Sequence, residues 1–188
     1  LTETSKEYFG ELFQIAPEPE LTHDEKHYAL DEVRNNGLLI STDKSKNVVE
    51  VYYALDENED GTPDKYQVTV TFGAVNGTFT ETGSTYTERV YTLKKDGKLS
   101  ETGSYELQSS DIPEAKAADG YTGEGSWDVN PVGQQVSKDS EKLSYIITFS
   151  TKGQYDASVE FYFDGKLDEG LTETSKEYFG ELFQIAPE

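Results

Sequence analysis

Cysteine and methionine are both absent from the 188-residue chain, which holds only two histidines and one tryptophan. Without cysteine there is no disulfide, no thiol nucleophile and no Cys-based zinc site. Without Met even at position 1, the chain reads as a piece of a longer protein. Basic residues are scarce: 16 Lys and Arg stand against 37 Asp and Glu, a formal net charge of −21. Binding a phosphate backbone needs clustered Lys and Arg, so the balance argues against a nucleic-acid partner. An anionic membrane surface is disfavoured for the same reason. No apolar run approaches the roughly 20 residues of a spanning helix, so no membrane insertion is expected.

What the chain does have is aromatic residues, 13 Tyr and 9 Phe, with aromatics making up 12% of the sequence. Acidic disordered chains are usually poor in them, whereas Tyr and Phe suit pleated, half-buried surfaces. The composition therefore predicts a mostly β or α+β fold.

The most specific feature is a repeat. Residues 1–18 and 171–188 both read LTETSKEYFGELFQIAPE, with starts 170 residues apart. A spacing of that size exceeds a solenoid unit and suits a two-domain module in a tandem array. The segment carries Tyr8, Phe9, Leu12, Phe13 and Ile15, a core-forming set rather than the composition of a cloning tag.

Apolar alternation marks strands at 7–15, 48–55, 66–72, 85–93, 143–149 and 158–163. In the last of these, Val159, Phe161 and Phe163 alternate with Ser158, Glu160 and Tyr162. Asn76-Gly77, Asp96-Gly97 and Asp164-Gly165 signal tight turns. The stretch 22–36 reads both ways: Thr22 and Glu25 have capping-box spacing and Gly37 suits a helix stop, while Tyr28, Leu30 and the neighbouring strands favour a strand. A short helix is expected from about Ser110 to Gly120, with Pro113 in its first turn.

Within residues 66–150, the pieces VTVTF, NGTF at 76–79, DGYTGEGSWDVNP at 119–131 and YIITF resemble the Listeria–Bacteroides and internalin B-type repeats of bacterial surface proteins. That resemblance implies a small β-grasp module over 65–150, with Trp127 at a packing position. Residues 157–170 followed by 1–55 carry FYFDG, Gly10 before an aromatic strand, YALDEVRNNG and VVEVYY. They resemble mucin-binding-protein repeats, which implies a second β-grasp-like module. The organisation expected is thus two small modules in tandem. Residues 1–55 form one that lacks its first strand, 56–64 an acidic linker, 65–150 the other, and 157–188 the start of the next repeat. Strand 157–170 is expected to complete the 1–55 module, from the same chain or by exchange with a neighbour.

Asp56-Glu57-Asn58-Glu59-Asp60-Gly61-Thr62-Pro63-Asp64 fits a D-x-N-x-D-G-x-x-D pattern. Oxygen ligands at loop positions 1, 3 and 5, a glycine at 6 and a carbonyl at 7 are what Ca²⁺ prefers. The candidate ligands are Asp56, Asn58, Asp60, Thr62 and Asp64. Position 12 holds Gln67 where an EF-hand has a bidentate Glu, so the affinity expected is the weak extracellular class, about 10⁻⁴–10⁻³ M. The same letters also serve as a solvated turn. Tyr86, Tyr91, Tyr121 and Trp127 are candidates for a sugar-stacking face, with core packing the favoured reading. His23 and His27 lie four apart without an HExxH pattern, and no motif singles out a catalytic carboxylate pair.

These readings predict a non-catalytic stalk repeat of an extracellular, wall-anchored adhesin from a Gram-positive bacterium, its partners being neighbouring repeats and its linker stiffened by calcium. The competing expectations are a module that itself binds host mucin or glycans, and an accessory module of a secreted polysaccharide-degrading enzyme.

Overall fold

The computed structural model describes residues 6–184, and the protein is mostly β, with short 3₁₀ turns as the helical elements among the described residues. The outer ends of the two repeat copies, 1–5 and 185–188, lie outside the described residues. Two compact units emerge. The first holds the chain up to Val68, Val90–Tyr105 and Ser137–Asp139; the second holds Thr69–Arg89, Glu106–Val136 and the chain from Ser140.

In the first unit, Glu20–His23, Lys26–Arg34 and Glu50–Leu55 form an antiparallel sheet with Lys26–Arg34 in the middle. This decides the ambiguous stretch 22–36 for strand. Asp24 and Glu25, at φ 48° and 61°, make a two-residue hairpin turn between His23 and Lys26. Two successive left-handed residues match the twist of the flanking strands. The capping-box spacing at Thr22 is overridden because pairing buries Ala29 completely on the central strand. That strand carries a bulge: Leu30 pairs with Tyr53 and Glu32 with Tyr52, leaving Asp31 as the extra residue. A bulge re-aims the side chain it carries. Of the strand expected at 7–15, only Leu12–Phe13 is paired, to Leu38–Leu39. The turn expected at Asp96-Gly97 forms, at φ 53° and 75°, between Lys94–Lys95 and Lys98–Leu99.

The second unit holds most of a four-stranded sheet in the order Ser126–Trp127, Ser144–Thr148, Gln67–Val75, Tyr86–Thr92. Its central pair is parallel, from Ser144 opposite Thr71 to Thr148 opposite Val75. The alternation read from sequence has its counterpart here: Val70 and Phe72 are fully buried, as are Tyr145 and Phe149 to within 2%. Phe72 stacks on Tyr145 and takes the edge of Trp127, each at 6.0 Å between ring centres. Burying such side chains stabilises by about 1.5–3 kcal/mol each.

Two local expectations are corrected in this unit. The helix predicted for 110–120 is a single 3₁₀ turn, Ser109–Asp111, followed by a strand at Ala115–Ala117. Gln108 and Asp111 cap one another, but Ile112 is extended, at φ −85° and ψ 120°. The pyrrolidine ring of Pro113 pushes its predecessor out of the helical region, so the turn cannot propagate. Asn76-Gly77 makes a bend and no hairpin: Asn76 sits at φ 56°, and Gly77 opens a strand, Gly77–Phe79, that pairs with Ala115–Ala117. A Cβ on Gly77 would come within 2.4 Å of the Phe149 ring and 2.7 Å of the Lys116 carbonyl, so glycine is there for close approach.

Gln154–Phe163 and Lys166–Tyr178 form a long hairpin closed by Asp164-Gly165, at φ 50° and 75°. The strand expected at 158–163 thus pairs with the segment that follows it, which includes the start of the second repeat copy. Phe161 and Phe163 stay exposed, and Val159 is half-buried.

Candidate functional site

The five candidate calcium ligands lie on one loop of the first unit. Asp56 ends the strand Glu50–Leu55; its N–H donates to the His27 carbonyl, and the residue is 1% exposed. Its carboxylate sits inside the loop that follows, accepting from the N–H of Asp60 at 3.3 Å and of Gly61 at 3.0 Å. Gly61 takes φ 80°, as a sharp turn at the sixth loop position requires. Asp60 accepts from the Thr62 N–H at 2.9 Å and from the side-chain amides of Gln67 and Asn58 at 2.6 and 3.1 Å. Asp64 accepts from the Glu57 N–H at 3.1 Å. The loop is therefore closed by its own donors. Among the described residues no group of three or more acidic or histidine side chains stands arranged to hold a metal ion.

Gln67, the twelfth residue of the loop, has a role that spacing alone does not reveal. It is 8% exposed and spans the loop, donating to Asp60 and accepting from Asn58. An amide can donate where a glutamate could only accept. Beside the loop a shallow cavity of about 250 Å³ is lined by Glu20, Thr22, His27, Asp56 and Glu59 among others. His27 Nε2 lies 3.2 Å from Glu59, and His23 lies 3.4 Å from Asp24. Both histidines are on paired strands, at the hairpin of 20–34, and each faces a carboxylate.

Asp31, the bulge residue, accepts from Lys65 Nζ at 2.5 Å and from the Tyr66 hydroxyl at 2.6 Å, two residues just past the loop. Burial by itself would raise the Asp31 pKa; the hydrogen bonds from Lys65 and Tyr66 and the charge of Lys65 outweigh it and hold the carboxyl below its ordinary value. The same hydrogen bond raises Lys65. The loop is thus pinned at its far end to the sheet that launches it. A bulge cannot be read from the sequence pattern, and nothing in the sequence singled out Asp31.

The four candidate stacking residues have different surroundings. Tyr86 is 51% exposed, its hydroxyl donating to Glu88 at 3.1 Å. Tyr91 is buried and stacks on Tyr105 at 4.8 Å. Trp127 packs edge-on against Phe72, at the side of the core sheet. Tyr121 meets Phe179 edge-on at 5.8 Å, and Tyr155 meets the same ring at 6.4 Å.

This last cluster is a formed seat for an aromatic ring. Gly120 lies under Phe179 so closely that a Cβ there would sit 2.5 Å from the ring. The Gly120 N–H donates to the Tyr155 hydroxyl at 3.0 Å, and its carbonyl accepts from the Gly153 N–H at 2.9 Å. The Phe179 N–H donates to the Gly153 carbonyl at 2.9 Å. Compared with protein-family models, curated proteins and solved structures, the chain matches none.

Proposed function

We propose that this chain is a non-catalytic structural repeat of a bacterial cell-surface adhesin, one unit of an extracellular stalk whose partners are its neighbouring repeats. The observation that carries the reading is the verbatim recurrence of LTETSKEYFGELFQIAPE at 1–18 and 171–188, a spacing that admits a whole two-module unit between copies. The high negative charge and the aromatic-rich β composition agree with a solvated spacer, and so does the resemblance of 66–150 to surface-protein β-grasp repeats. The test is a glycan and mucin array probed with the full chain. A passive spacer gives no saturable signal, and a specific hit replaces this reading with that of a module that engages host sugars directly.

Calcium belongs to the same proposal as a weak ligand of the 56–64 loop. A carboxylate offers about four lone-pair sites, so Asp56, Asp60 and Asp64 retain acceptor capacity beyond the hydrogen bonds they now accept. Asn58 and the Thr62 carbonyl complete the set. With a dissociation constant of about 1 mM, 10 mM calcium stabilises the folded chain by about 1.4 kcal/mol. A rise in Tm with calcium but not magnesium, lost in Asp56→Asn, is the expected outcome; identical melting curves with and without calcium remove the ion from the proposal.

A further inference from the structure

The repeated segment meets two different fates within one chain. In its second copy Phe179 rests on Gly120 between Tyr121 and Tyr155 and is 44% exposed. In its first copy the corresponding Phe9 is 75% exposed, and Tyr8, the counterpart of Tyr178, is 78% exposed. Yet the turn that presents the ring is the same. The Glu11 N–H donates to the Tyr8 carbonyl at 3.1 Å and the Glu181 N–H to the Tyr178 carbonyl at 3.0 Å, with Gly10 and Gly180 at φ 82° and 72°. The first copy therefore displays, without its seat, an element already folded in the shape the seat accepts.

We infer that the Gly120–Tyr121–Tyr155 seat is a docking site for a second copy of this chain, whose Phe9 turn takes the place that Phe179 holds. The occupant is fixed by identity of sequence: Lys6-Glu7-Tyr8-Phe9-Gly10-Glu11 repeats Lys176-Glu177-Tyr178-Phe179-Gly180-Glu181. Whatever the seat recognises in one it recognises in the other. The partner register follows from the hairpin, where Lys176 stands opposite Asp156 and Tyr178 opposite Gln154. Docking therefore replaces the Lys176–Phe179 end of the hairpin as a whole: Lys6 of the incoming copy takes the place of Lys176 opposite Asp156, where the two charges are again opposite. Copies joined this way use two different surfaces, head to tail, so the contact builds a ring where its rotation closes and an open chain where it does not. The inference rests on the repeat reading and gives it a joint: one repeat is keyed to the next by a phenylalanine on a glycine floor.

Within one chain Phe179 competes for the seat at an effective concentration of order mM, so the unaltered chain is expected to stay monomeric at micromolar concentration. Phe179→Ala removes the resident ring from the seat and loosens the Lys176–Tyr178 end of the hairpin that the incoming copy has to displace. In sedimentation and light scattering the variant is expected to associate at a concentration at least about tenfold lower than the unaltered chain, and Phe9→Ala in the same chain to restore the monomer. Association that survives Phe9→Ala, or a Phe179→Ala chain that stays monomeric to millimolar concentration, overturns the inference. A second measurement does not depend on how Phe179→Ala folds. The chain has no cysteine, so Lys6→Cys and Asp156→Cys chains, mixed at high concentration and oxidised, report their own register. Mapped bridges between positions 6 and 156 in excess of 6–6 and 156–156 support docking; a statistical mixture refutes it. Either failure leaves the array result, and with it the spacer reading, untouched.

Discussion

Two stretches of identical sequence, residues 6–14 and 176–184, fold differently in one molecule. In the later copy the leading residues up to Tyr178 are strand, laddered to Gln154–Phe163, while Leu182 and Phe183 are unpaired in any described strand. In the earlier copy Lys6–Tyr8 carry no strand, while Leu12–Phe13 pair with Leu38–Leu39. Each copy adopts strand only where a partner strand is supplied. What both share is the Tyr-Phe-Gly-Glu turn between the two halves. Strand formation here is a property of the neighbourhood, and the turn is a property of the residues, since positive φ and a hydrogen bond closing a four-residue turn need no third element.

The comparison breaks most completely if the core of the unit that holds the later copy is opened. Phe149 is 2% exposed, and its N–H donates to the Val75 carbonyl where the parallel strands end. Phe149→Ala is expected to cost about 3–5 kcal/mol, measured as the fall in urea unfolding free energy. If the two copies depend on separate surroundings, amide protection at Glu173–Tyr178 falls while that at Leu12–Phe13 persists. Equal loss at both sites means the surroundings are not independent.

A smaller perturbation acts on the earlier copy's unit. The ionised form of Asp31 is the stabilised one, because its folded pKa lies below that of the unfolded chain. Its contribution is fully present above about pH 4 and is lost as pH falls from there through the depressed folded value. Asp31→Asn is expected to lower stability at neutral pH by about 1–3 kcal/mol. The gap between variant and parent should close on acidification. A gap that stays constant down to pH 2 means that the carboxylate charge contributes nothing.

How far the sequence reveals these elements depends on the range of the interactions that make them. The alternation of Val68, Val70 and Phe72, the turns at Asp96-Gly97 and Asp164-Gly165, and the mostly β class are all legible, because periodicity and left-handed turn residues act locally. Asp24-Glu25 is not: Asp tolerates a left-handed backbone but Glu does not favour one, and only the pairing of Glu20–His23 with Lys26–Arg34 forces both residues of the turn to φ above zero. The helix expected at 110–120 is refused by Pro113 acting on Ile112: the proline that suits a first helical turn also keeps the residue before it extended. In the acidic loop the spacing from Asp56 to Asp64 is readable, whereas the roles of Gln67 and Asp31 depend on a bulge and a loop closure across distant positions. The Phe179 seat needs Gly120 and Tyr155 brought together from 35 residues apart, and no pattern in the sequence points to it.

The shared turn can be tested alone. Gly10→Ala and Gly180→Ala each place a side chain at positive φ, at a cost of about 1–2 kcal/mol. The Glu11 and Glu181 amides, which donate across the two turns, are expected to exchange faster by about 5–30-fold in the respective variants. Similar factors at the two sites show that the turn is intrinsic to the residues. A large effect at Glu181 with none at Glu11 shows instead that the seat imposes it.

The finest test compares two lysines of the same sequence context. Lys176 reaches Asp156 at 2.6 Å with both side chains more than 60% exposed, whereas no described acidic group pairs with Lys6. Exposed pairs contribute about 0.2–1 kcal/mol at most and are screened by salt. Lys176→Ala is therefore expected to lower stability by a few tenths of a kcal/mol in low salt and by nothing measurable in 1 M salt. Lys6→Ala is expected to change neither value. The pair matters more as register than as energy, because a one-residue slip of Lys166–Tyr178 turns Lys176 to the opposite face. A double-mutant cycle with Asp156→Ala isolates the term: a coupling for Lys176 with none for Lys6 holds the asymmetry between the copies to a single contact. Equal coupling for both lysines at high protein concentration would mean that Lys6 had found an Asp156 on another chain.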